Sequence, residues 1–315
     1  MIYAIGETVM DILFKNDKPI DAVPGGSAFN SAVSVGRVGV PCAFIGYTGC
    51  DRVGDITMQF MHDNGVGTRW FEQRKGVRSC ISLAFLDDAG DAHYVFYKDA
   101  PGASAADVAG VPDFRRGDAL LMGSYYAVSK GTRAQVQAVT QAAKTAGATI
   151  YYDLNFRSSH KDELDSLLPA IHENFEVSTV VRGSADDFDV MWGLRDARRI
   201  YAEHIAQYAP LFICTAGAGQ ITVCTPCGAW DYDVPQIEDV VSTVGAGDNF
   251  NAGFLCALTG VYADGTLPER WSKEMMTPLI DAGVRFAAQV CRTTENYVSK
   301  EFGQKEKEML WTRSR

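Results

Sequence analysis

Short apolar runs alternate with longer amphipathic stretches along most of the chain. Ile2, Tyr3, Ala4 and Ile5 form the first run, bounded by Gly6 and Glu7. Similar runs predict buried strands at 42–46, 119–122, 149–152, 177–181, 211–214 and 221–224. Between them, apolar positions recur at helical spacing over 28–38, over 56–64 with Gly65 closing the helix, and over 132–146 and 277–291. Phe250, Phe254, Leu255 and Leu258 place one more helix after residue 248. Such alternation implies right-handed crossovers and an α/β fold, with a mainly parallel sheet covered by helices on both faces.

Two stretches depart from this rhythm. Residues 9–23 read as a hairpin around Asn16-Asp17-Lys18-Pro19, and residues 79–97 as a second one. In the second, Ile81, Leu83 and Phe85 alternate on one arm, His93, Val95 and Tyr97 on the other, with 87–91 as the turn. The tail, 300–315, is charged and reads as a solvated terminal helix or a frayed end.

A chain of 315 residues has room for one large α/β domain or two small ones. The net charge of −10 argues against a nucleic-acid partner, which calls for a basic face, but leaves room for a local nucleotide site. No uninterrupted apolar stretch is long enough to span a bilayer. The first residues lack a basic leader and read as a strand, so the eight cysteines are expected to be reduced thiols in a cytoplasm. Cys224-Thr225-Pro226-Cys227 has the spacing of a redox pair or half a zinc site. With no second pair and no nearby His, it reads as a strand end and turn.

The stretch richest in chemistry is Ser242-Thr243-Val244-Gly245-Ala246-Gly247-Asp248-Asn249-Phe250-Asn251-Ala252-Gly253. A helix starting inside the small-residue run would present unpaired N–H groups and a positive dipole end to an anion. Asp248, one residue on, would then sit where phosphoryl transfer needs a base. Taken alone, the stretch fits an ordinary glycine-rich turn equally well. Asp11, beyond the first strand, is placed where parallel sheets collect ligand groups.

This stretch resembles the second signature of the ribokinase-like (PfkB) carbohydrate kinases, D-T-x-G-A-G-D-x-F-x-x-G. The family's first signature, a Gly-Gly pair followed by Asn and a small-residue helix, is matched by Gly25-Gly26-Ser27-Ala28-Phe29-Asn30-Ser31-Ala32. Gly6, Glu7 and Asp11 fit its G-E-x-x-x-D pattern, and both signatures lie in the family order and separation across nearly the whole chain. The resemblance implies a ribokinase-like three-layer sandwich, 1–315, whose two hairpins (about 9–24 and 77–99) form a β-sheet lid. It also implies an ATP- and Mg²⁺-dependent sugar kinase and a homodimer built through the lid.

By the same resemblance, Asp11, Gly25, Gly26 and Asn30 orient the sugar, and Asp248 takes the proton of the attacking hydroxyl. The amides of Gly245, Ala246 and Gly247 form the anion hole. Asp153, Asn155 and Arg157 match a D-x-N-x-R pattern similar to fructokinase-type and 2-keto-3-deoxygluconate kinase members, with Arg157 on substrate and phosphate. Lys98 stands where such members carry a lid Arg. Thr215, Gly217 and Gly219 resemble the nucleotide turn T-x-G-x-x-G, the last glycine displaced by one.

Three departures matter. Ser184 and Asp187 replace the family's N-x-x-E on the nucleotide phosphates and metal, so Asp187 is expected to reach Mg²⁺ through water. Ser242 replaces the Asp of a monovalent-cation site, so K⁺ activation is expected to be weak or absent. Fructose is the first expected substrate and 2-keto-3-deoxygluconate the second. The competing reading is a homologue that binds sugar or nucleotide without catalysis. A dinucleotide-binding oxidoreductase fits poorly, because Gly6-Glu7-Thr8 follows the first strand instead of G-x-G-x-x-G, and no P-loop motif occurs.

Overall fold

The computed structural model describes residues 1–86, 92–97 and 110–312. The chain begins with β1 (Ile2–Ile5), then the hairpin β2 (Val9–Lys15) and β3 (Lys18–Gly25), α1 (Ser27–Val38), β4 (Cys42–Gly49), α2 (Arg52–Asp63) and β5 (Val66–Arg74). A second hairpin, β6 (Ile81–Leu86) and β7 (Ala92–Tyr97), is followed by β8 (Ala119–Gly123), α3 (Arg133–Ala146), β9 (Thr149–Asp153) and α4 (Leu164–Val177). Next come β10 (Val180–Ser184), α5 (Ala185–Trp192), α6 (Ala197–Ile200), β11 (Leu211–Thr215), β12 (Gln220–Thr225) and β13 (Gly228–Asp233). Three helices complete the chain: α7 (Ala246–Val261), α8 (Lys273–Val290) and α9 (Lys300–Thr312).

The large sheet has nine strands in the order β13-β12-β11-β10-β9-β8-β1-β4-β5, parallel from β11 to β5. The β12 and β13 hairpin adds two antiparallel strands at one edge. Strand periodicity divides the side chains between two cores. Ile2, Ala4 and Tyr151 face α1, α7 and α8 on one side, while Tyr3, Ile5 and Tyr152 face α3, α4 and α5 on the other. Both faces are therefore covered, which gives the expected three-layer α/β arrangement. α7 and α8 pack closely because Gly253 and Gly283 face each other's helix. A Cβ on Gly253 would meet the Ala282 carbonyl oxygen at 2.4 Å, and one on Gly283 the Phe250 ring at 2.6 Å.

The two expected hairpins join into a separate four-stranded sheet, β3-β2-β6-β7, in which β2 and β6 run parallel. The predicted turn at 87–91 lies outside the described residues. None of the described helices is long and apolar enough to cross a membrane.

Several boundaries moved for local reasons. The strand expected at 177–181 begins at Val180, because Val177 still closes α4 and Val180 is the residue that pairs with Tyr151. α2 starts at Arg52 because Asp51 caps it, its Oδ1 accepting from the Gly54 N–H at 2.9 Å. α4, α5, β5 and β13 were not predicted by the periodicity.

The tail forms the terminal helix expected as one alternative, α9, but it is not simply solvated. α9 packs along α1, and Glu306, only 3% exposed, accepts from both Nε and Nη2 of Arg285 at 2.9 Å. A pairwise mate on another helix cannot be read from the charge of the tail itself. Removing one partner of a buried pair is strongly destabilising, although Arg285 reaches solvent and softens the effect. Glu306→Ala should therefore lose about 2 kcal/mol in urea unfolding, whereas a loss indistinguishable from zero would show that the tail adds nothing to the fold.

Candidate functional site

α1 and α7 begin next to each other, and their first turns carry the two signature motifs. Gly26 precedes α1 with φ +126, a conformation in which a Cβ would strike the Glu7 carbonyl oxygen at 2.4 Å. Gly245 precedes α7 with φ +77. Asp248 lies in the first turn of α7, partly exposed. Its Oδ1 accepts from Ser27 Oγ at 2.6 Å and its Oδ2 from Asn30 Nδ2 at 2.9 Å, while its carbonyl accepts from Ser31 Oγ at 2.7 Å. The carboxylate is thus clamped between two helix starts.

The proposed sugar-side residues converge on the same point. Asp11, buried, accepts from Ser82 Oγ of β6. A Cβ on Gly25 would sit 2.7 Å from Asp11 Oδ2 and 3.8 Å from Asn30 Oδ1, so only glycine leaves room between them. Asn30 Oδ1 is buried with no hydrogen-bond partner in the protein, an acceptor suited to a ligand hydroxyl. Arg157, exposed after β9, is close enough to lower the pKa of both Asp11 and Asp248. Burial nevertheless wins at both carboxyls. It raises Asp11 against the Ser82 and Arg157 contacts, and pushes Asp248 up to about 6 against the Ser27 and Asn30 hydrogen bonds.

On the other side of the α7 start lies a cavity of about 330 Å³. Thr243, Ala246, Gly247, Thr215 and Gly217 line it, and Phe250 with Val284 and Ala287 supply apolar walls from α7 and α8. Its size and mixed lining suit a nucleoside. Gly219 does not line it; with Gly217 it shapes the turn between β11 and β12, which is a hairpin. Ala246 N–H donates to the Thr243 carbonyl at 3.2 Å. The amides of Gly247 and Asp248, in the first turn, have no carbonyl one turn back to bond.

Ser184 and Asp187 sit apart from that lining. They form a reciprocal cap on α5: Asp187 N–H donates to Ser184 Oγ at 3.1 Å, and Ser184 N–H to Asp187 Oδ2 at 2.6 Å. Among the described residues no group of three or more His, Cys, Asp or Glu could hold a metal. Lys98 lies outside the described residues. None of the eight cysteines is in a disulfide.

The sequence matches the pfkB family carbohydrate kinase profile over residues 1–299. The chain belongs to the pfkB family of carbohydrate kinases. Aminoimidazole riboside kinase of Salmonella typhimurium is 26% identical over 262 residues, covering 82% of this chain and 81% of that protein. Fructokinase of Escherichia coli is 25% identical over 266 residues, covering 84% and 86%. Among solved structures, aminoimidazole riboside kinase from Salmonella enterica complexed with aminoimidazole riboside and an ATP analogue superposes with a TM-score of 0.82 at 22% identity, over 98% of this chain and 99% of that one. Fructokinase from Vibrio cholerae, in its fructose, ADP and calcium ion bound form, gives 0.79 at 19% identity, over 100% and 98%. The kinase shares their ribokinase-like fold.

Three features of this pfkB kinase were not singled out from sequence. Ser27 was quoted within the first motif without a role, yet it holds Asp248. Tyr125 and His160 stack with ring centroids 4.0 Å apart beside Arg157, and both bond Glu163. Arg182, a charged residue closing an otherwise apolar strand run, is buried and paired with Asp153 at 2.9 Å. Its position in an apolar run was the available clue.

The raised pKa of Asp248 has a consequence for stability. The neutral carboxyl is the form the fold favours, so its contribution is full below the ordinary value of 3.8 and is lost as pH rises through about 6. Asp248→Asn stays neutral and should melt no lower than the wild type above pH 6, the advantage shrinking as pH falls below that value. Calorimetry across pH checks this, and a lower melting temperature above pH 6 would show the ionised group to be stabilising.

Proposed function

We propose that this kinase transfers the γ-phosphoryl group of ATP to a hydroxyl of a small sugar, with fructose the first choice and Asp248 the general base. The observation that carries the reading is the clamp on Asp248, which ties a polar pocket on one side of the α7 start to the nucleoside-sized cavity on the other.

Asp11 and Asn30 bind sugar hydroxyls, and Gly25 and Gly26 leave the space to do so. Asp248 accepts the hydroxyl proton as the oxygen attacks the γ-phosphorus. The bond from that phosphorus to the β-phosphate bridging oxygen breaks, and ADP leaves. Amides at the start of α7, those of Gly245, Gly247 and Asp248, and the helix dipole meet the charge on the phosphoryl oxygens; the Ala246 amide, expected in the same hole, is instead given to the Thr243 carbonyl. Arg157 assists from the sugar side. Thr215 and Gly217 border the nucleotide, and magnesium arrives with the ATP phosphates. Ser184 and Asp187, bonded to each other in the α5 cap, would reach the nucleotide or its magnesium only through water.

The small sheet serves as a lid over the sugar, keeping out water that would compete as acceptor. Its edge strand β7 exposes Val95, Phe96 and Tyr97, at 46%, 53% and 55%, a surface suited to a second copy of the chain.

One observation favours a second substrate. The stacked Tyr125 and His160 could receive a planar heterocycle attached to a ribosyl ring, in keeping with the riboside kinase relative. A sugar acid such as 2-keto-3-deoxygluconate would instead use Arg157 and Lys98. An ADP-release screen over fructose, 2-keto-3-deoxygluconate, ribose and aminoimidazole riboside separates the three, and no sugar-dependent ADP release from any of a broad set would favour a non-catalytic binder.

Asp248→Asn should lower kcat by about a hundredfold or more, given the usual worth of general-base catalysis; near-normal turnover removes Asp248 from that role. In the wild type, kcat/KM should fall with acidity through about pH 6, where Asp248 takes up its proton. Ser242 offers only a neutral oxygen, which already accepts from Val244 N–H at 3.2 Å. The rate in K⁺ should therefore equal that in Na⁺, and a strong K⁺ activation would refute this.

A further inference from the structure

We propose that Arg182 is a positioning residue for phosphoryl transfer, a fixed buried cation that forms the floor of the phosphate cradle at the start of α7. This rests on the sugar-kinase reading above. Arg182 comes from β10, at the carboxyl end of the sheet, and its side chain lines the large cavity. It lies directly against the cradle: a Cβ on Gly247 would sit 3.0 Å from both Nη1 and Nη2, so any side chain at 247 would crowd the guanidinium at the helix start.

Its donors are only partly spent. Nη1 donates to Asp153 Oδ1 at 2.9 Å and Nη2 to Thr215 Oγ1 at 2.7 Å, while Nε is buried without a partner. Asp153 is fixed from behind, its Oδ2 accepting from Asn251 Nδ2 at 2.7 Å, and Asn251 Oδ1 accepts from the Tyr151 hydroxyl at 2.9 Å. The guanidinium is therefore held in one orientation by β9, β11 and α7 together. A charge so fixed needs no reorganisation as negative charge gathers on the phosphoryl oxygens, and a buried site weakens its field less than water would. Because Arg182 acts through the amides and the field of the cradle, its loss should lower kcat and leave sugar binding alone.

A second consequence involves Asp248. The groups acting on its carboxyl are Ser27 and Asn30 from α1, Asp153 from β9 and Arg157 from the following loop. Asp153 disfavours ionisation of Asp248, and the charge of Asp153 is now countered by Arg182. Removing Arg182 alone leaves Asp153 uncompensated, which moves the acid limb of kcat/KM to higher pH. Neutralising Asp153 as well returns the limb to the wild-type position or below.

The test compares the wild type, Arg182→Lys, Arg182→Met and the double variant Arg182→Met/Asp153→Asn. The double variant leaves no unpaired buried carboxylate, so it gives an answer if the single variant does not fold. For the double variant we expect kcat at least about tenfold lower, in line with the loss of one preorganised electrostatic group, with sugar KM unchanged. Arg182→Lys should recover most of that loss. The acid limb should move up in Arg182→Met and return in the double variant. A folded double variant with wild-type kcat, or a single variant whose acid limb stays in place, overturns the proposal. A wild type that releases no ADP with any sugar overturns the kinase reading and this proposal together, so the two failures are told apart.

Discussion

The site depends on one contact, the clamp that Ser27 and Asn30 place on the Asp248 carboxylate. It joins the first turns of two helices that come from opposite ends of the chain. Further bonds along the same seam, Ser31 to the Asp248 carbonyl and Ser34 to Asn249, keep the two helices in register. In the proposed reaction the acceptor-side groups belong to α1 and β2 and the phosphate-side groups to α7, so the distance between them would be set by helix packing and not by a flexible loop. Proximity of that kind is worth more the more rigidly it is held.

Behind this seam runs a buried polar chain from Tyr151 through Asn251, Asp153 and Arg182 to Thr215. Burial opposes the charge on Arg182, yet Asp153 beside it holds the guanidinium pKa above its usual value. Buried ion pairs are seldom kept for stability, since an apolar replacement of similar volume often does as well. A pair that instead faces a cavity and abuts a helix start has an electrostatic use. Burial likewise raises the Asp248 carboxyl, so in the proposed reaction base strength and charge stabilisation would arise from one environment.

The two sides of the site differ in how much they specify. The nucleotide side is built from backbone, small residues and apolar walls, which suits a ligand common to the family. On the proposed reading the sugar side is bordered by groups that would discriminate: Asp11, Asn30 and Arg157, with the Tyr125 and His160 stack beside Arg157. Relatives that act on fructose and on aminoimidazole riboside lie at nearly the same distance, 25% and 26% identity, so selectivity is expected in these few side chains and not in the scaffold.

Local pattern determined much of this protein. The parallel strands other than the edge strand β5 were legible as short apolar runs because a sheet covered on both faces buries their side chains, and α1, α3 and α7 were legible from helical spacing. The glycines before α1 and α7 and the acid at 248 were legible because close backbone approach and a base leave a mark in residue type. What the tertiary structure alone decided were the pairings across sequence distance. Ser27 meeting Asp248, Arg182 meeting Asp153 beneath Gly247, Glu306 meeting Arg285, and Ser184 with Asp187 turned to a helix cap all depend on which elements lie side by side. A charged residue in the sequence carries no record of its distant partner, and burial, which sets its pKa and its use, exists only once the layers have packed.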